Sequence, residues 1–429
     1  MNSITIKPTV SIRGEITVPG DKSISHRSIM LGAIAKGITT VRGFLRGEDN
    51  MSTISAFRAM GVRIDDDGET IYIRGSGLHG LKEPDNVLDC GNSGTTIRLI
   101  TGLLSGQVFF SVVTGDQYLR KRPMRRVVEP LSLMGATILG RNQGCLAPLA
   151  ISGGRLNAID YKTPVSSAQI KSSIMLAGLY ADGETSVREP GLSRDHSERM
   201  FRLFGASIEL LDKGVTVRGG VELNAQEVTV PGDISSAAFF MVAALITPDS
   251  ELLIRNVGVN STRTGVIDIL QEMGGDIALL NQREFSGEPV ADILVRSSRM
   301  RGITISENVI PRAIDEFPAI CVAASCSDGV TTIKNAGELR VKETDRITAM
   351  VRNLNALGVK VTEFKDGMEI VGAEYLEGGQ VESFGDHRIA MSLSVAALTA
   401  RSAITVKDTN CVATSFPNFF HLLEKVSVK

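Results

Sequence analysis

The sequence predicts an α/β protein of two similar domains, each built from three repeated units. Two observations carry this prediction: an amphipathic helix that ends at a glycine recurs along the chain, and a more apolar series of helices alternates with it. The length of 429 residues suits two domains of about 200 residues each. Six units hold about 71 residues each, which agrees with the spacing of the repeat.

An apolar residue followed by glycine ends each helix of the first series. These glycines lie 74, 70, 69 and 84 residues apart, and they are Gly61, Gly135, Gly205, Gly274 and Gly358. Glycine at this place is typical of the left-handed turn that stops a helix. The segments that follow, such as VRIDDDGETIYI, predict two strands around an Asp-Gly turn.

The helices of the second series are apolar on all sides and open with small or polar residues. Their sequences are DKSISHRSIMLGAIA, GNSGTTIRLITGLL, SSAQIKSSIMLAGL, GDISSAAFFMVAAL, IDEFPAICVAAS and GDHRIAMSLSVAAL. A short strand rich in β-branched residues follows each of them, for example GITTVRGF. Because a helix that is apolar all round is buried, each unit is expected to hold one inner and one outer helix.

The sixth unit stops after its outer helix, in TSFPNFFHLLEKVSVK, and lacks a hairpin. The chain begins with the strand-like segment SITIKPTVSIRGEITV, so we expect these strands to complete the sixth unit. The first domain then covers residues 20–230, and the second covers residues 1–19 together with 231–429. The sequence VPGD occurs at both crossings between the domains, which predicts a hinge there.

Composition and charge argue against several classes of partner. Lys and Arg number 46 against 48 Asp and Glu, so no basic field would attract nucleic acid. The longest apolar run, residues 237–246, is about half of a membrane span, and the N-terminus does not resemble a signal peptide. The five cysteines form no CxxC pair, which indicates reduced thiols. We therefore expect a cytoplasmic monomer without nucleic-acid or membrane partners.

Metal and cofactor sites are not indicated by the sequence. The five histidines are scattered and show neither HExxH nor Cys/His spacing. A P-loop, a strand-flanked GxGxxG and a GxSxG elbow are missing as well. We expect no metal and no cofactor.

Cations at helix N-termini are the main functional signal. Such an end carries partial positive charge and favours a bound anion. Lys22 and Arg27 open the first inner helix and Arg388 opens the last one, against the helix dipole, which is expected where a polyanion lies between them. Three further basic segments, at residues 118–126, 194–196 and 342–346, are candidates, with solvated charged loops as the alternative.

Two other helix openings carry no such cations. Ser235 and Ser236 have no nearby charge and are expected to act as ordinary N-caps. Asp315 and Glu316 lead directly into an apolar helix, so at least one carboxylate caps it or takes part in acid–base chemistry, and the two roles are compatible. The residues alone thus predict a hinged enzyme that binds small, multiply anionic substrates between converging helix N-termini.

Six motifs occur in order along the chain: VPGDKSISHRS, GNSGTTIR, KRPM, SAQIKS, RVKETDR and GDHRIAM. With them the chain resembles, over essentially its whole length, the 5-enolpyruvylshikimate-3-phosphate synthase (3-phosphoshikimate 1-carboxyvinyltransferase) family. The resemblance implies the enolpyruvyl transferase fold, with three βαβαββ-type units around an inner parallel helix bundle in each domain and the active site in the cleft between the domains.

The resemblance also implies the reaction. The enolpyruvyl group of phosphoenolpyruvate would move to the 5-hydroxyl of shikimate 3-phosphate, and phosphate would leave by addition and elimination through a tetrahedral intermediate. This transferase activity serves chorismate and aromatic amino-acid biosynthesis. The partners implied are therefore the two small-molecule substrates.

Residues for both substrates follow from the same resemblance. Shikimate 3-phosphate would contact Lys22, Ser23, Arg27, Ser167, Gln169, Asp315 and Lys342. Phosphoenolpyruvate would contact Lys22, Gly94, Arg122, Gln169, Arg346 and Arg388. Arginine suits a ligand with a phosphate and a carboxylate because it binds such groups in a bidentate manner.

Three residues are expected to be catalytic. Asp315 would take the proton of the 5-hydroxyl. Glu343 and Lys22 are the pair expected to protonate the methylene carbon and later remove a proton, and the choice between them stays open.

Some positions depart from the better-known enterobacterial form. Ala168 replaces a serine, Glu338 replaces an asparagine of the ring site, and Thr414 replaces a lysine that contacts phosphoenolpyruvate. These departures resemble the subfamily that includes glyphosate-tolerant enzymes. Gly94, however, keeps the small residue associated with sensitivity, so tolerance stays open.

Two alternative functions fit the sequence less well. UDP-N-acetylglucosamine enolpyruvyl transferases share the fold and the donor, but they carry a loop cysteine that residues 115–124 lack. A non-catalytic anion-binding protein built on the same repeats would not require Asp315 and Glu343 beside arginines.

Overall fold

The structure is a computed structural model that describes residues 3–428. Contacts between Cα atoms divide the chain into two compact units. The N-terminal unit holds Gly20–Val230 together with Glu284–Glu288. The C-terminal unit holds the chain up to Pro19, Pro231–Arg283 and the chain from Pro289 onward. The sequence pattern does not indicate that the hairpin tip Glu284–Glu288 groups with the N-terminal unit.

Fourteen α-helices and four 3-10 segments occur within residues 3–428. The helices are α1 (Lys22–Ile34), α2 (Glu48–Ala59), α3 (Gly94–Ser105), α4 (Arg125–Leu133), α5 (Arg141–Gly144), α6 (Ala168–Gly178), α7 (His196–Leu203), α8 (Ile234–Ile246), α9 (Gly265–Glu272), α10 (Ile310–Ala313), α11 (Phe317–Ser325), α12 (Arg346–Ala356), α13 (His387–Ala396) and α14 (Phe419–Val426). The 3-10 segments are Leu119–Lys121, Gly337–Val341, Ala397–Thr399 and Thr409–Thr414.

The strands are short and numerous. They are β1 (Ser3–Ile6), β2 (Ser11–Thr17), β3 (Ala35–Arg42), β4 (Arg63–Asp66), β5 (Thr70–Ser76), β6 (Leu88–Asp89), β7 (Phe110–Thr114), β8 (Thr137–Gly140), β9 (Leu146–Ser152), β10 (Leu156–Asn157), β11 (Asp160–Lys162), β12 (Ala181–Asp182), β13 (Glu184–Arg188), β14 (Ile208–Leu211), β15 (Gly214–Arg218), β16 (Leu223–Asn224), β17 (Glu227–Thr229), β18 (Glu251–Gly258), β19 (Asp276–Phe285), β20 (Glu288–Arg296), β21 (Val330–Ile333), β22 (Lys360–Phe364), β23 (Gly367–Val371), β24 (Gly379–Glu382), β25 (Ile404–Lys407) and β26 (Ser427–Val428).

The same strand pairing recurs in each repeated unit. The strand after the inner helix pairs antiparallel with the last strand of the hairpin, as in β3 with β5, β7 with β9, β13 with β15, β18 with β20, and β21 with β23. In the sheet of the sixth unit, β25 pairs antiparallel with β1, with Ser3 opposite Lys407. The prediction that N-terminal residues complete the sixth unit is therefore confirmed for β1.

The first strand of a unit runs parallel to the strand after the inner helix, as β6 does beside β7. The strands just before the two VPGD segments do not join the sheet of the unit that follows them in the chain. Strand β17 pairs with β3 of the first unit, and β2 pairs with β18 of the fourth unit. Thus β2 precedes α1 along the chain but belongs to the sheet of the fourth repeat, so the prediction that it completes the sixth unit is wrong. The order β6-α3-β7-α4-β8-β9 is the predicted βαβαββ order, with the single turn α5 inserted in its hairpin.

The two helix series differ in burial as predicted. Every residue of α8 from Ile234 to Leu245 is buried, whereas the outer helix α12 buries mainly one face. In the N-terminal unit α3 packs against α1 and α6, and in the C-terminal unit α8, α11 and α13 pack against one another. The inner helices therefore form the core of each unit.

The five glycines that end the outer helices all have positive φ, between 84° and 104°. Each follows the last buried apolar residue of its helix, as Gly358 follows Leu357. The left-handed helix stop is confirmed at all five positions. Within residues 3–428, none of the helices has both the length and the apolar character needed to cross a bilayer.

Candidate active site

The starts of the inner helices hold most of the predicted site residues. In the N-terminal unit, Asp21, Ser93 and Ser167 are the N-cap residues of α1, α3 and α6. Each side chain accepts a hydrogen bond from a backbone N–H of its own first turn. One side-chain cap satisfies one of the several N–H groups at a helix start, so these ends keep the capacity to bind an anion.

Lys22 is the first residue of α1 and is fixed by the outer helix α2. Its ammonium group forms an ion pair with the buried carboxylate of Asp49, and its carbonyl accepts from Asn50 Nδ2 at 3.1 Å. Sequence reasoning did not single out Asp49, because an acidic residue in the first turn is the ordinary complement of a helix dipole.

The Arg27 side chain is buried among uncharged oxygen atoms. Its Nε donates to Ser197 Oγ at 2.6 Å, its Nη2 to Ser172 Oγ at 2.7 Å and its Nη1 to the Ser23 carbonyl at 3.0 Å. Burial lowers the pKa of Arg27 to about 10, and nearby carboxylates oppose this effect only in part. A phosphate group placed against Arg27 would supply a negative charge that these three partners lack.

Gly94 is the first residue of α3 and lies against two guanidinium groups. A Cβ atom added at Gly94 would come within 2.8 Å of Arg122 Nη1 and within 2.9 Å of Arg98 Nη1. Arg122 directly follows the 3-10 segment Leu119–Lys121, so the predicted basic segment 118–126 carries Arg122 to the start of α3. The structure therefore brings Gly94 and Arg122 together.

Gln169 joins the starts of α6 and α3. Its Oε1 accepts from Arg98 Nη1 at 2.7 Å, and its Nε2 donates to Thr95 Oγ1 at 3.0 Å. Arg98 also donates to the Pro123 carbonyl at 3.3 Å. Arg98 was not assigned a role from the sequence, although its place as the last residue of GNSGTTIR was a signal.

Ser167 is held by a buried group of charges. Its backbone N–H donates to Glu189 Oε1 at 2.8 Å. Glu189 and Glu198 form ion pairs of 2.8 Å and 2.7 Å with Lys171, and all three side chains are buried. This group fixes the first turns of α6 against α7.

A chain of buried polar side chains connects α1, α2 and α3. His26 Nδ1 shares a hydrogen bond of 2.7 Å with Thr53 Oγ1, and Thr53 Oγ1 shares one of 2.7 Å with Thr96 Oγ1. Thr96 Oγ1 in turn donates to Ser93 Oγ at 2.7 Å. Because all four residues are buried, the chain fixes the helix starts that carry Lys22 and Gly94.

In the C-terminal unit, the predicted residues form one charged cluster. The carboxylate of Asp315 lies 3.2 Å from Lys342 Nζ, 3.4 Å from Arg346 Nη1 and 3.9 Å from Arg388 Nη2. Glu343 joins the cluster through Arg346, at 2.6 Å. The structure thus brings all five predicted residues of this unit together.

Arg346 is the first residue of α12, and its side chain is only 1% exposed. Its Nε donates to Asp386 Oδ2 at 2.8 Å, its Nη2 to Glu343 Oε2 at 2.6 Å and its Nη1 to Asp315 Oδ1 at 3.4 Å. Burial disfavours the charged form, but these carboxylates outweigh it, so the pKa of Arg346 lies above the ordinary value of arginine. Sequence reasoning treated Asp386 as a helix opening and missed its contact with Arg346.

Arg388 lies at the start of α13, where the N-cap residue Asp386 accepts from the Arg388 backbone N–H at 2.8 Å. The Arg388 Nη1 atom donates to the Asp315 carbonyl at 2.9 Å and lies 3.7 Å from Glu316 Oε1. Arg388 is therefore held by both residues of the Asp315-Glu316 pair.

One expectation about the helix openings is wrong, and one of the two roles left open for Asp315 and Glu316 is not seen for Glu316. Helix α11 begins at Phe317 with Glu316 in the N-cap position, but the Glu316 side chain does not cap it, because its carboxylate accepts from Ser235 Oγ instead. The expectation that Ser235 and Ser236 cap α8 is wrong. Asp233 is the N-cap residue of α8, and its carboxylate accepts from the Ser235 N–H at 2.8 Å.

The remaining candidate positions lie near helix or 3-10 segments. Residues 194–196 lead into α7, with Asp195 as its N-cap residue. Ala168 is the first residue of α6, and Glu338 lies in the 3-10 segment before Lys342. Thr414 Oγ1 donates to the Cys411 carbonyl at 2.7 Å, so this hydroxyl has a local partner. Among residues 3–428, no three His, Cys, Asp or Glu side chains are grouped so as to hold a metal ion.

The sequence matches a family model described as EPSP synthase (3-phosphoshikimate 1-carboxyvinyltransferase) over residues 6–423. It is 73% identical over 425 residues to a 3-phosphoshikimate 1-carboxyvinyltransferase of Pelobacter propionicus, with 99% of both chains covered. A protein of the same name from Geobacter metallireducens is 69% identical over 429 residues, with 100% of both chains covered. The solved structure of EPSP synthase from Acinetobacter baumannii is similar with a TM-score of 0.90 at 48% identity, covering 100% of this chain and 99% of that chain.

Proposed function

The chain belongs to the EPSP synthase (3-phosphoshikimate 1-carboxyvinyltransferase) family, and from this premise we propose how its residues divide the work of the reaction. The predicted family and the enolpyruvyl transferase fold are confirmed. The chain is a transferase of aromatic amino-acid biosynthesis that moves the enolpyruvyl group of phosphoenolpyruvate to shikimate 3-phosphate and releases phosphate. Transfer to UDP-N-acetylglucosamine and non-catalytic anion binding are not favoured, because full-length relatives carry the name of the shikimate enzyme.

One observation carries the proposed roles in proton transfer: the guanidinium of Arg346 bonds both Asp315 and Glu343. Addition of the 5-hydroxyl across the enol double bond needs one group that accepts the hydroxyl proton and another that protonates the methylene carbon. The hydroxyl oxygen and the methylene carbon become bonded to the same carbon, so these two groups must act close to one another. Their shared contact supports Asp315 as the base and Glu343, together with Lys22, as the group that serves the methylene carbon.

The second half of the reaction reverses the proton transfer at carbon. The tetrahedral intermediate loses phosphate as its C–O bond to the phosphate breaks. A proton leaves the methyl group at the same time, and the enol double bond forms again. The group that delivered the proton to this carbon is placed to remove one, so no further residue is required.

We assign shikimate 3-phosphate to residues of both units. Lys22, Ser23, Arg27, Ser167 and Gln169 come from the N-terminal unit, and Asp315 and Lys342 come from the C-terminal unit. The buried guanidinium of Arg27, bonded to uncharged oxygen atoms, supports a phosphate at this place. Ser167, at the N-terminus of α6, supports it as well.

We assign phosphoenolpyruvate to Lys22, Gly94, Arg122, Gln169, Arg346 and Arg388. The close approach of Arg122 and Arg98 to Gly94 supports an anion site at the start of α3. The residues assigned to each substrate belong to both units.

Phosphate release by the purified protein tests this function. The protein is supplied with phosphoenolpyruvate and either shikimate 3-phosphate or UDP-N-acetylglucosamine. We expect release with shikimate 3-phosphate alone. Release only with the nucleotide sugar would keep the donor residues but overturn those assigned to shikimate 3-phosphate, and no release with either acceptor would favour an anion-binding protein.

We also propose that the protein is a cytoplasmic monomer. All five cysteines are free thiols, which supports a reducing compartment. Light scattering during size-exclusion chromatography tests the oligomeric state. A mass near 45.9 kDa is expected for the monomer, and any multiple of it would contradict the proposal.

A further inference from the structure

Glu316 is a buried carboxylate of the C-terminal unit that the proposed reaction does not use. It is 1% exposed and directly follows Asp315. Its Oε1 accepts from Ser235 Oγ, whereas its Oε2 has no hydrogen-bond partner among residues 3–428. A buried carboxylate with an unsatisfied oxygen lowers stability. Its neighbours indicate what this carboxylate does there.

Glu316 lies between two arginines. Its Oε1 is 3.7 Å from Arg388 Nη1 and 3.8 Å from Arg263 Nη2. The Arg388 side chain is 12% exposed and that of Arg263 only 3%, so both charges interact with Glu316 in surroundings that screen them weakly. Glu316 is thus a counter-charge that the two arginines share.

The backbone next to Glu316 holds the same arginine. Arg388 Nη1 donates to the Asp315 carbonyl at 2.9 Å, while the Glu316 carboxylate lies on that Nη1 atom as well. The guanidinium of Arg388 is therefore directed by a carbonyl oxygen and by a carboxylate from adjacent residues. Loss of the Glu316 carboxylate would leave the carbonyl contact and the Asp315 carboxylate at 3.9 Å, but it would remove the negative charge that faces Nη1.

The start of α8 fixes Glu316 from the other side. Arg263 Nη2 donates to Ser235 Oγ at 2.8 Å and to Asp233 Oδ1 at 3.1 Å. Ser235 Oγ then donates to Glu316. Asp233 is the N-cap residue of α8, so its position is set by the helix itself. These contacts connect α8 to Arg388 through Glu316.

We propose that Glu316 is a positioning residue that directs the guanidinium of Arg388 toward phosphoenolpyruvate, and that Ser235 and Arg263 hold Glu316 in place. The inference rests on the proposed function, in which Arg388 binds phosphoenolpyruvate. Glutamine at position 316 keeps the shape of the side chain but removes the charge. The partly buried guanidinium of Arg388 then keeps Asp315 but loses the charge of Glu316, so it turns away from the donor.

Steady-state kinetics of Glu316→Gln test the proposal. We expect the KM for phosphoenolpyruvate to rise about tenfold while the KM for shikimate 3-phosphate changes by less than about twofold. Ser235→Ala, which keeps every charge, should also raise the KM for phosphoenolpyruvate more than that for shikimate 3-phosphate, but by a smaller factor. It tests the proposal if Glu316→Gln does not fold. An equal rise of both KM values in these variants would overturn the proposal.

Asp292→Asn is the matched control. Asp292 is 3% exposed in the same unit and is bonded to Arg255 and Arg283. This substitution also removes a buried carboxylate from between two arginines, but outside the charged cluster. We expect it to lower the free energy of unfolding without changing either KM, so a change of KM for phosphoenolpyruvate here would overturn the special role of Glu316.

A double-mutant cycle with Arg388→Lys tests whether Glu316 acts through Arg388. In the Arg388→Lys background we expect Glu316→Gln to change the KM for phosphoenolpyruvate by less than about twofold. If the two substitutions raised the KM for phosphoenolpyruvate independently, so that their fold-changes multiplied in the double variant, the inference would be overturned. If Arg388→Lys raises the KM for phosphoenolpyruvate but Glu316→Gln does not, the inference about Glu316 is overturned while the proposed function stands. If the KM for phosphoenolpyruvate is unchanged in Arg388→Lys, Arg388 is removed from the proposed donor site as well.

Discussion

The guanidinium of Arg122 lies so close to Gly94 that a Cβ atom at position 94 would come within 2.8 Å of its Nη1 and 2.9 Å of its Cζ. Both atoms belong to the end of a flexible side chain and not to the backbone. A methyl group would therefore displace the arginine and leave α3 folded. The absence of a side chain at Gly94 therefore leaves the space that Arg122 occupies, and Arg122 is assigned to phosphoenolpyruvate.

Gly94→Ala is expected to raise the KM for phosphoenolpyruvate about tenfold, because a displaced guanidinium loses about 1.5 kcal/mol of charge-assisted hydrogen bonding. The KM for shikimate 3-phosphate and the thermal midpoint of unfolding should change little. Gly154→Ala is the control, since a Cβ atom there would meet no atom within 4 Å. An unchanged KM for phosphoenolpyruvate in Gly94→Ala would contradict the assignment of Arg122.

Arg27→Gln is expected to raise the KM for shikimate 3-phosphate by about tenfold to a hundredfold, because a hydrogen bond to a charged group contributes about 1.5–3 kcal/mol. The KM for phosphoenolpyruvate should change much less. Arg58→Gln is the control, because Arg58 also donates to an uncharged oxygen, the Ile64 carbonyl at 2.6 Å, away from the predicted residues. Equal effects of the two substitutions would show that Arg27 has a structural role only.

Asp315→Asn is expected to lower kcat by about a hundredfold to ten-thousandfold, the usual contribution of a general base. Binding of shikimate 3-phosphate, measured by calorimetry, should persist, because asparagine keeps the shape of the side chain and one acceptor oxygen. Glu343→Gln should also lower kcat, because Glu343 is assigned to the proton transfer at the methylene carbon. Turnover near the wild-type rate in Asp315→Asn would show that another group takes the hydroxyl proton.

Local signals made most of the fold predictable. The positive φ of Gly61 and its four equivalents follows from the glycine itself, and full burial of helices such as α8 follows from their apolar surface. The particular sheets that β2 and β17 join were not predictable, because parallel pairing depends on residues far apart in the chain, such as Ile16 and Ile254. A short strand before a helix shows no preference for one sheet over another.

The candidate site was predictable where residues lie in recognisable motifs. Lys22, Arg346 and Arg388 stand at helix starts, where a cation is unusual. Asp49, the partner of Lys22, and Asp386, the partner of Arg346, were missed, because an acidic residue at a helix start is common whether or not it binds a cation. Only burial and distance, which the structure supplies, distinguish the two cases.

His26 is a buried histidine among cations. Burial lowers the pKa of His26 well below its usual 6.5, and the charges of Lys22 and Arg27 lower it further. The unfolded chain binds a proton at this residue below about pH 6.5, whereas the folded chain does not. Because the unfolded state then binds more protons, the contribution of His26 to stability is complete above about pH 6.5 and is lost as the pH falls.

Urea unfolding at about pH 7.5 and about pH 5.5 tests this dependence in the wild type and in His26→Asn, which keeps a polar atom near Thr53 Oγ1. From this one group, the wild type should lose about 1.4 kcal/mol more free energy of unfolding than the variant. His421→Asn, at an exposed position, is the control and should keep the wild-type dependence. Equal losses in the wild type and in His26→Asn would mean that the buried imidazole accepts a proton in the folded protein, despite its burial and its two neighbouring cations.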